Sequence, residues 1–118
     1  MKVFIKNLFA IKNAFFYTLS GLKYLIKERP FRQELGIAVI LIFIEFFKNT
    51  SFSMLIYLIS SYFLILITEG INSAIESIID RISSERHELS KKAKDIGSAV
   101  VFIAMVHFGI VWILSFIL

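Results

Sequence analysis

Between Asn49 and Thr68, and again between Ile96 and Leu118, the chain runs 20 and 23 residues without a charged side chain. At 1.5 Å per helical residue, either run can cross a hydrocarbon layer about 30 Å thick. A third apolar run, Leu35–Phe47, contains Glu45. It reaches a spanning length of about 17 residues only if its helix begins near Phe31. The pattern therefore predicts three transmembrane helices, at about 31–47, 50–68 and 96–118. Glu45 and Lys48 would then lie at the far interface, where long side chains reach the headgroups.

The first 27 residues have a different pattern. Phe4, Leu8, Ile11, Phe15, Leu19, Leu22 and Ile26 recur every three or four positions, with Lys2, Lys6, Asn13 and Ser20 on the other side. This predicts an amphipathic helix over 1–27, lying in the membrane interface with its basic face toward lipid phosphates. The alternative is a helix packed on its own bundle. Lysines recur through the segment and no small-residue cleavage site follows an apolar run, so it does not read as a signal peptide. Gly21 is a place for the helix to bend or divide. Pro30 restricts Arg29 and opens the next helix.

Composition excludes a soluble monomer. Of 118 residues, 58% are hydrophobic, the mean hydropathy is +0.80, and a globule this small has too little interior to hide them. The length fits one domain over 1–118. Yet 19% of the chain is charged, with a net charge of +4, so the charges must be segregated. Lys2, Lys6, Lys12, Lys23, Lys27, Arg29 and Arg32 precede the first span, and Arg81, Arg86, Lys91, Lys92 and Lys94 lie between the second and third. Only Lys48 falls in the other loop. The positive-inside rule places the N-terminus and the 81–95 loop in the cytoplasm and the C-terminus on the opposite side. There is no Cys, hence no thiol chemistry or Cys-based metal site, and no nucleic-acid-binding motif occurs.

The second span runs into charge without a Gly-Pro break, so its helix is expected to continue over 69–83. Glu69, Asn72, Ser73, Glu76 and Asp80 then share one face at 100° per residue. A carboxylate stripe at a membrane boundary is opposed by repulsion and desolvation unless something neutralises it. Two readings stay open. In one, the stripe serves phosphoryl transfer, which needs Mg²⁺ on hard oxygens and a base for the hydroxyl proton. Glu69, nearest the apolar run, would be the base, and Glu76 would be placed for metal. In the other, it is a solvated face salt-bridged to Lys91, Lys92 and Lys94. No nucleotide-binding Gly-rich loop occurs. His87 reads as a solvated loop histidine and His107 as a neutral interhelical hydrogen-bonder. Gly97, Ser98 and Ala99 allow close helix packing where the third span begins.

These stretches carry a resemblance. Phe31–Glu34 (FRQE), Glu69–Ile82 (EGINSAIESIIDRI), His87–Ser90 (HELS) and Ala93–Val101 (AKDIGSAVV) resemble, in order and over nearly the whole chain, the prokaryotic-type diacylglycerol kinase family of small trimeric membrane enzymes. The resemblance implies an all-α membrane protein: an interfacial helix plus three transmembrane helices per subunit, in a homotrimeric bundle with shared sites. It implies Glu69 as catalytic base and Glu28 and Glu76 as Mg²⁺-binding carboxylates. Asn72 matches a position near the reacting phosphate. Glu85, Arg86, His87, Lys94 and Asp95 match nucleotide-contacting positions. Tyr17, Arg32, Gln33, Glu34, Ser98 and Trp112 match contacts to nucleotide or lipid. One departure stands out: Ala10 occupies a position where relatives often carry a phosphate-contacting Arg.

The implied activity is transfer of the γ-phosphoryl group of ATP to diacylglycerol, giving phosphatidate, in phospholipid recycling at the bacterial cytoplasmic (inner) membrane. A related branch of the family phosphorylates undecaprenol instead. A reading from another class is a non-enzymatic membrane transport or assembly subunit that uses the acidic stripe for ions.

Overall fold

The computed structural model describes residues 1–118 as four α-helices and no strand. These are α1 (Lys2–Lys27), α2 (Arg29–Phe47), α3 (Phe52–Ile82) and α4 (Glu88–Ile117). Only α3 and α4 are long and apolar enough to cross a membrane. The shorter α2 carries Arg29, Arg32, Glu34 and Glu45.

α1 is one continuous helix that passes through Gly21 without a break, and none of its residues is buried. Its apolar stripe is therefore not packed on its own bundle. The subunit measures 52 × 50 × 21 Å. A 30-residue helix is about 45 Å long, so the bundle accounts for one long dimension and the projecting α1 for the other. The corner between α1 and α2 falls at Glu28, one residue before the position expected. Glu28 is extended, with φ −69° and ψ 125°, and its carbonyl accepts from the Arg32 N–H at 3.1 Å to open α2. Pro30 sits in that first turn, where its missing N–H costs nothing.

α3 continues unbroken into the charged stretch, as expected. Its 31 residues span about 46 Å, roughly 16 Å more than a hydrocarbon core. Ser51 caps it, with the Oγ accepting from the Met54 N–H at 3.3 Å. Asn49, at φ 54°, makes the tight turn that precedes it. α4 returns along α3 over most of its length, and α2 packs on the pair less extensively. The core comprises Tyr62, Ile65 and Ala104, flanked by Ala38, Leu41, Leu66 and Phe108. Tyr62 meets Phe108 edge-on, with ring centroids 4.9 Å apart. Only 13 of 118 residues are buried, too few for a protein whose apolar surface faces water.

Glu45 and Lys48 do not reach outward as the sequence suggested. Glu45 is 3% exposed and lies in a closed set of donors. Lys48 Nζ is 3.0 and 3.1 Å from its two oxygens. Thr50 Oγ1 donates at 2.5 Å and Trp112 Nε1 at 2.9 Å. Lys48 also donates to Ser115 at 3.0 Å and lies over the Phe116 ring. A buried carboxylate is tolerated when its lone pairs are filled this way, and the network ties α2 to α4. His107 lies exposed on α4 and is not drawn into the bundle. Glu45→Ala is expected to lower folding stability by roughly 1–3 kcal/mol, because Lys48 and Trp112 lose their partner. Thermal unfolding in detergent measures this, and an unchanged midpoint would mean the network does not hold α2 to α4.

Candidate active site

The acidic face of α3 divides in two. At its outer end Asp80 is exposed and Lys94 Nζ lies 3.0 Å from its carboxylate, as a solvated face would have it. Lys91 pairs instead with Asp95 on its own helix, at 2.6 Å, and Lys92 forms no salt bridge. At the inner end Glu69, Asn72 and Ser73 are buried and Glu76 is half-buried. No basic side chain of the subunit pairs with Glu28, Glu34, Glu69 or Glu76.

Glu69 lies just beyond the apolar run that ends at Thr68. Burial raises its carboxyl above the ordinary value, and the charges of Glu34 and Glu76 raise it further. Glu34, on α2, is thus the neighbour that periodicity within α3 could not reveal. Its place is fixed by Tyr62, whose hydroxyl lies 2.6 Å from the Glu34 carbonyl oxygen and 2.9 Å from its Oε2.

Close helix approach shapes this level. Gly97 of α4 is buried, and a Cβ there would lie 2.1 Å from Asn72 Oδ1. That oxygen is buried with no hydrogen-bond partner. The small residue expected at 97 is thus what lets α4 lie against the amide, whereas Ser98 and Ala99 are exposed. On the other side, a Cβ at Gly70 would meet the Leu25 side chain at 3.3 Å. The last turn of α1 therefore rests beside Glu69, and Glu28 follows three residues later at the corner.

No three His, Asp or Glu side chains converge within the subunit as a ready-made metal cage. Mg²⁺ does not need one. It takes one or two carboxylates and completes its shell with water and substrate phosphates. The carboxylates of Glu28 and Glu76 are hard-oxygen donors of the kind this ion takes.

Beyond the acidic face, Glu85, Arg86, His87, Lys94 and Asp95 all line one open hollow of about 340 Å³. His87 caps α4 here, its Nδ1 accepting from the Leu89 N–H at 3.1 Å. Arg32 and Gln33 are exposed on α2, and an Arg32 guanidinium nitrogen reaches the Lys27 carbonyl at 3.4 Å. Two of the sequence candidates stand apart. Tyr17 is exposed on α1, about 16 Å along the helix from Glu28, and Trp112 lies about 22 Å along α4 from Gly97, bonded to Glu45. Ala10 is exposed, as are the nearby Lys6 and Lys12.

Gly97→Ala is expected to push α4 off Asn72 and cost roughly 1–3 kcal/mol of stability. An unchanged unfolding midpoint would show that the amide turns aside freely.

Known proteins match this arrangement along most of the chain. A family described as Prokaryotic diacylglycerol kinase matches residues 16–116. A protein named Diacylglycerol kinase from Haemophilus influenzae is 50% identical over 97 residues, covering 81% of this chain and 82% of its own length. One of the same name from Escherichia coli K12 is 47% identical over 98 residues, covering 81% and 80%. A third, from Pseudomonas aeruginosa, is 42% identical over 103 residues, covering 86% and 84%. On the strength of a match over residues 16–116 and of these identities, the chain belongs to the prokaryotic diacylglycerol kinase family.

Proposed function

We propose that the protein transfers the γ-phosphoryl group of ATP to the free hydroxyl of diacylglycerol, giving phosphatidate and ADP. Membership in a lipid-kinase family makes it an enzyme of the membrane. The observation that carries the residue assignment is Glu69: buried, without a basic partner, and raised by two neighbouring carboxylates at the membrane boundary. A carboxylate lifted toward neutrality suits a general base.

Diacylglycerol reaches Glu69 laterally from the bilayer, and ATP reaches it from the cytoplasm. Glu69 takes the hydroxyl proton as the lipid oxygen attacks the γ-phosphorus, and the bond to the β,γ-bridging oxygen breaks to release ADP. Asn72, next to Glu69 on the same face, offers its amide to the transferring group. Glu28 and Glu76 would hold Mg²⁺, which would supply neutralisation of the charge on the phosphate oxygens. Glu85, Arg86, His87, Lys94 and Asp95 line the hollow that takes the nucleotide, and Tyr17, which stands apart from it on α1, is assigned to the nucleotide by the resemblance alone. Arg32, Gln33, Glu34, Ser98 and Trp112 face the lipid, Trp112 at the far end of its acyl chains.

The proposed organisation puts 1–27 on the membrane surface, about 31–47, 50–68 and 96–118 across it, and 69–83 extending into the cytoplasm. The N-terminus is cytoplasmic in the bacterial inner membrane and the C-terminus faces the other side. A homotrimer supplies what the subunit lacks, since an acidic face needs shielding from lipid and so few residues are buried in one copy. Phosphatidate returns to phospholipid synthesis. Undecaprenol is the alternative acceptor, with the same chemistry.

The deciding experiment gives purified protein labelled ATP with diacylglycerol or undecaprenol in mixed micelles. Diacylglycerol is expected to be the better acceptor, and no phosphorylation of either would overturn the reading. Glu69→Gln is expected to lower turnover at least a hundredfold while nucleotide binding stays near normal. A near-normal rate would sink the base assignment. Glu28→Ala and Glu76→Ala are expected to raise the Mg²⁺ concentration needed for half-maximal rate, and unchanged dependence in both would place the metal elsewhere.

A further inference from the structure

We infer that Tyr62 is a positioning residue for the lipid-alcohol side of this site: its hydroxyl fixes the Glu34 carboxylate between the membrane core and Glu69. The inference rests on the function proposed above. It begins from a residue that the motifs do not include.

Tyr62 lies seven residues before Glu69, so both occupy one face of α3, with Tyr62 about 10 Å deeper in the apolar run. Its ring is held rigidly. It is 7% exposed, packs edge-on against Phe108, and belongs to the core with Ile65 and Ala104. The hydroxyl leaves that core toward α2 and meets two acceptors of one residue, the Glu34 carbonyl oxygen at 2.6 Å and Oε2 at 2.9 Å. A phenol has one proton to give, and with both acceptors in reach it is shared between them as a three-centre bond, which holds the Glu34 carboxylate as well as its backbone.

The tether has a consequence for geometry. Arg32 and Gln33 on either side of the same turn are exposed, while Glu34 is half-buried. A free glutamate at a membrane surface would extend toward water, whereas the Tyr62 hydroxyl draws this one inward. The direction also matters. Tyr62 and Glu34 lie on the membrane side of Glu69, and the Asp80–Lys94 pair and the nucleotide hollow lie on the other. A residue that orders Glu34 therefore acts on the acceptor lipid and not on ATP.

Tyr62→Phe removes the hydroxyl and keeps the ring packing. It is expected to raise the KM for diacylglycerol about threefold to tenfold, the effect of one lost hydrogen bond. The KM for ATP and the unfolding midpoint should stay at wild-type values. Glu34→Ala should raise the lipid KM by at least as much, and the double variant should be no worse than Glu34→Ala alone, since the two residues act as one unit. An unchanged lipid KM in Tyr62→Phe overturns the inference, as does a loss that adds to that of Glu34→Ala. So does a lowered midpoint with both KM values raised together, which marks a packing role only. A wild-type protein with no activity on any lipid alcohol overturns the proposed function and this inference with it, whereas an active wild type matched by Tyr62→Phe overturns this inference alone.

Discussion

A carboxylate at the edge of a hydrocarbon layer loses hydration if it stays charged and loses function as a base if it stays protonated. The fold is arranged around keeping Glu69 in that position. An unbroken α3 carries the chain from lipid-facing residues to water-facing ones without a loop, so Glu69 sits at a fixed depth on a rigid rod. α4 can lie close against Asn72, one turn on from Glu69, because Gly97 has no side chain to meet its amide. The last turn of α1 closes the opposite side at Gly70, through Leu25. Helix continuity sets the depth, and two glycines set how tightly the neighbours close.

The subunit holds two buried carboxylates and treats them in opposite ways. Glu45 receives Lys48, Thr50 and Trp112, which leaves it little capacity for anything but holding α2 to α4. Glu69 receives no cation and faces two like charges. The first arrangement stabilises a bundle; the second leaves the carboxylate without a cation, as the proposed base role requires. Burial alone would not separate them. Their partners do.

Much of this was legible in the sequence because it is periodic along one helix. Charge-free runs of spanning length located α3 and α4. Spacings of three, four and seven gathered Glu69, Asn72, Ser73 and Glu76, and the absence of a Gly-Pro break after Thr68 predicted the extension of α3. The resemblance added Glu28, which no periodicity on α3 could reach because it sits at a corner between two other helices. What stayed hidden depends on contacts between helices. Glu45 reads as an interfacial residue from its place near the end of a run, and only the position of Trp112 across the bundle makes it a buried hub. Tyr62 reads as one more aromatic residue in an apolar stretch until α2 brings Glu34 to its hydroxyl. The stripe is divided: Asp80 is the solvated, lysine-paired end that one reading expected, and Glu69, which the other reading takes as the base, is buried.

The division of the stripe follows the phases from which the proposed substrates come. ATP is highly charged and approaches through water, so the residues proposed to meet it can stay exposed, as the Asp80–Lys94 and Lys91–Asp95 pairs are. Diacylglycerol is uncharged and approaches through lipid, where an exposed ionic pair would be costly and order must come from packing and hydrogen bonds instead. On that side the subunit uses an aromatic ring locked in the core and a single hydroxyl. In the proposed reaction the groups can meet only where the two regimes adjoin, and along α3 that is the two turns from Glu69 to Glu76. Lengthening the apolar run by a turn would carry Glu69 into water, and shortening it by a turn would draw Glu69 into lipid. The position of the site along the helix is therefore set by the thickness of the membrane as much as by the chemistry it serves.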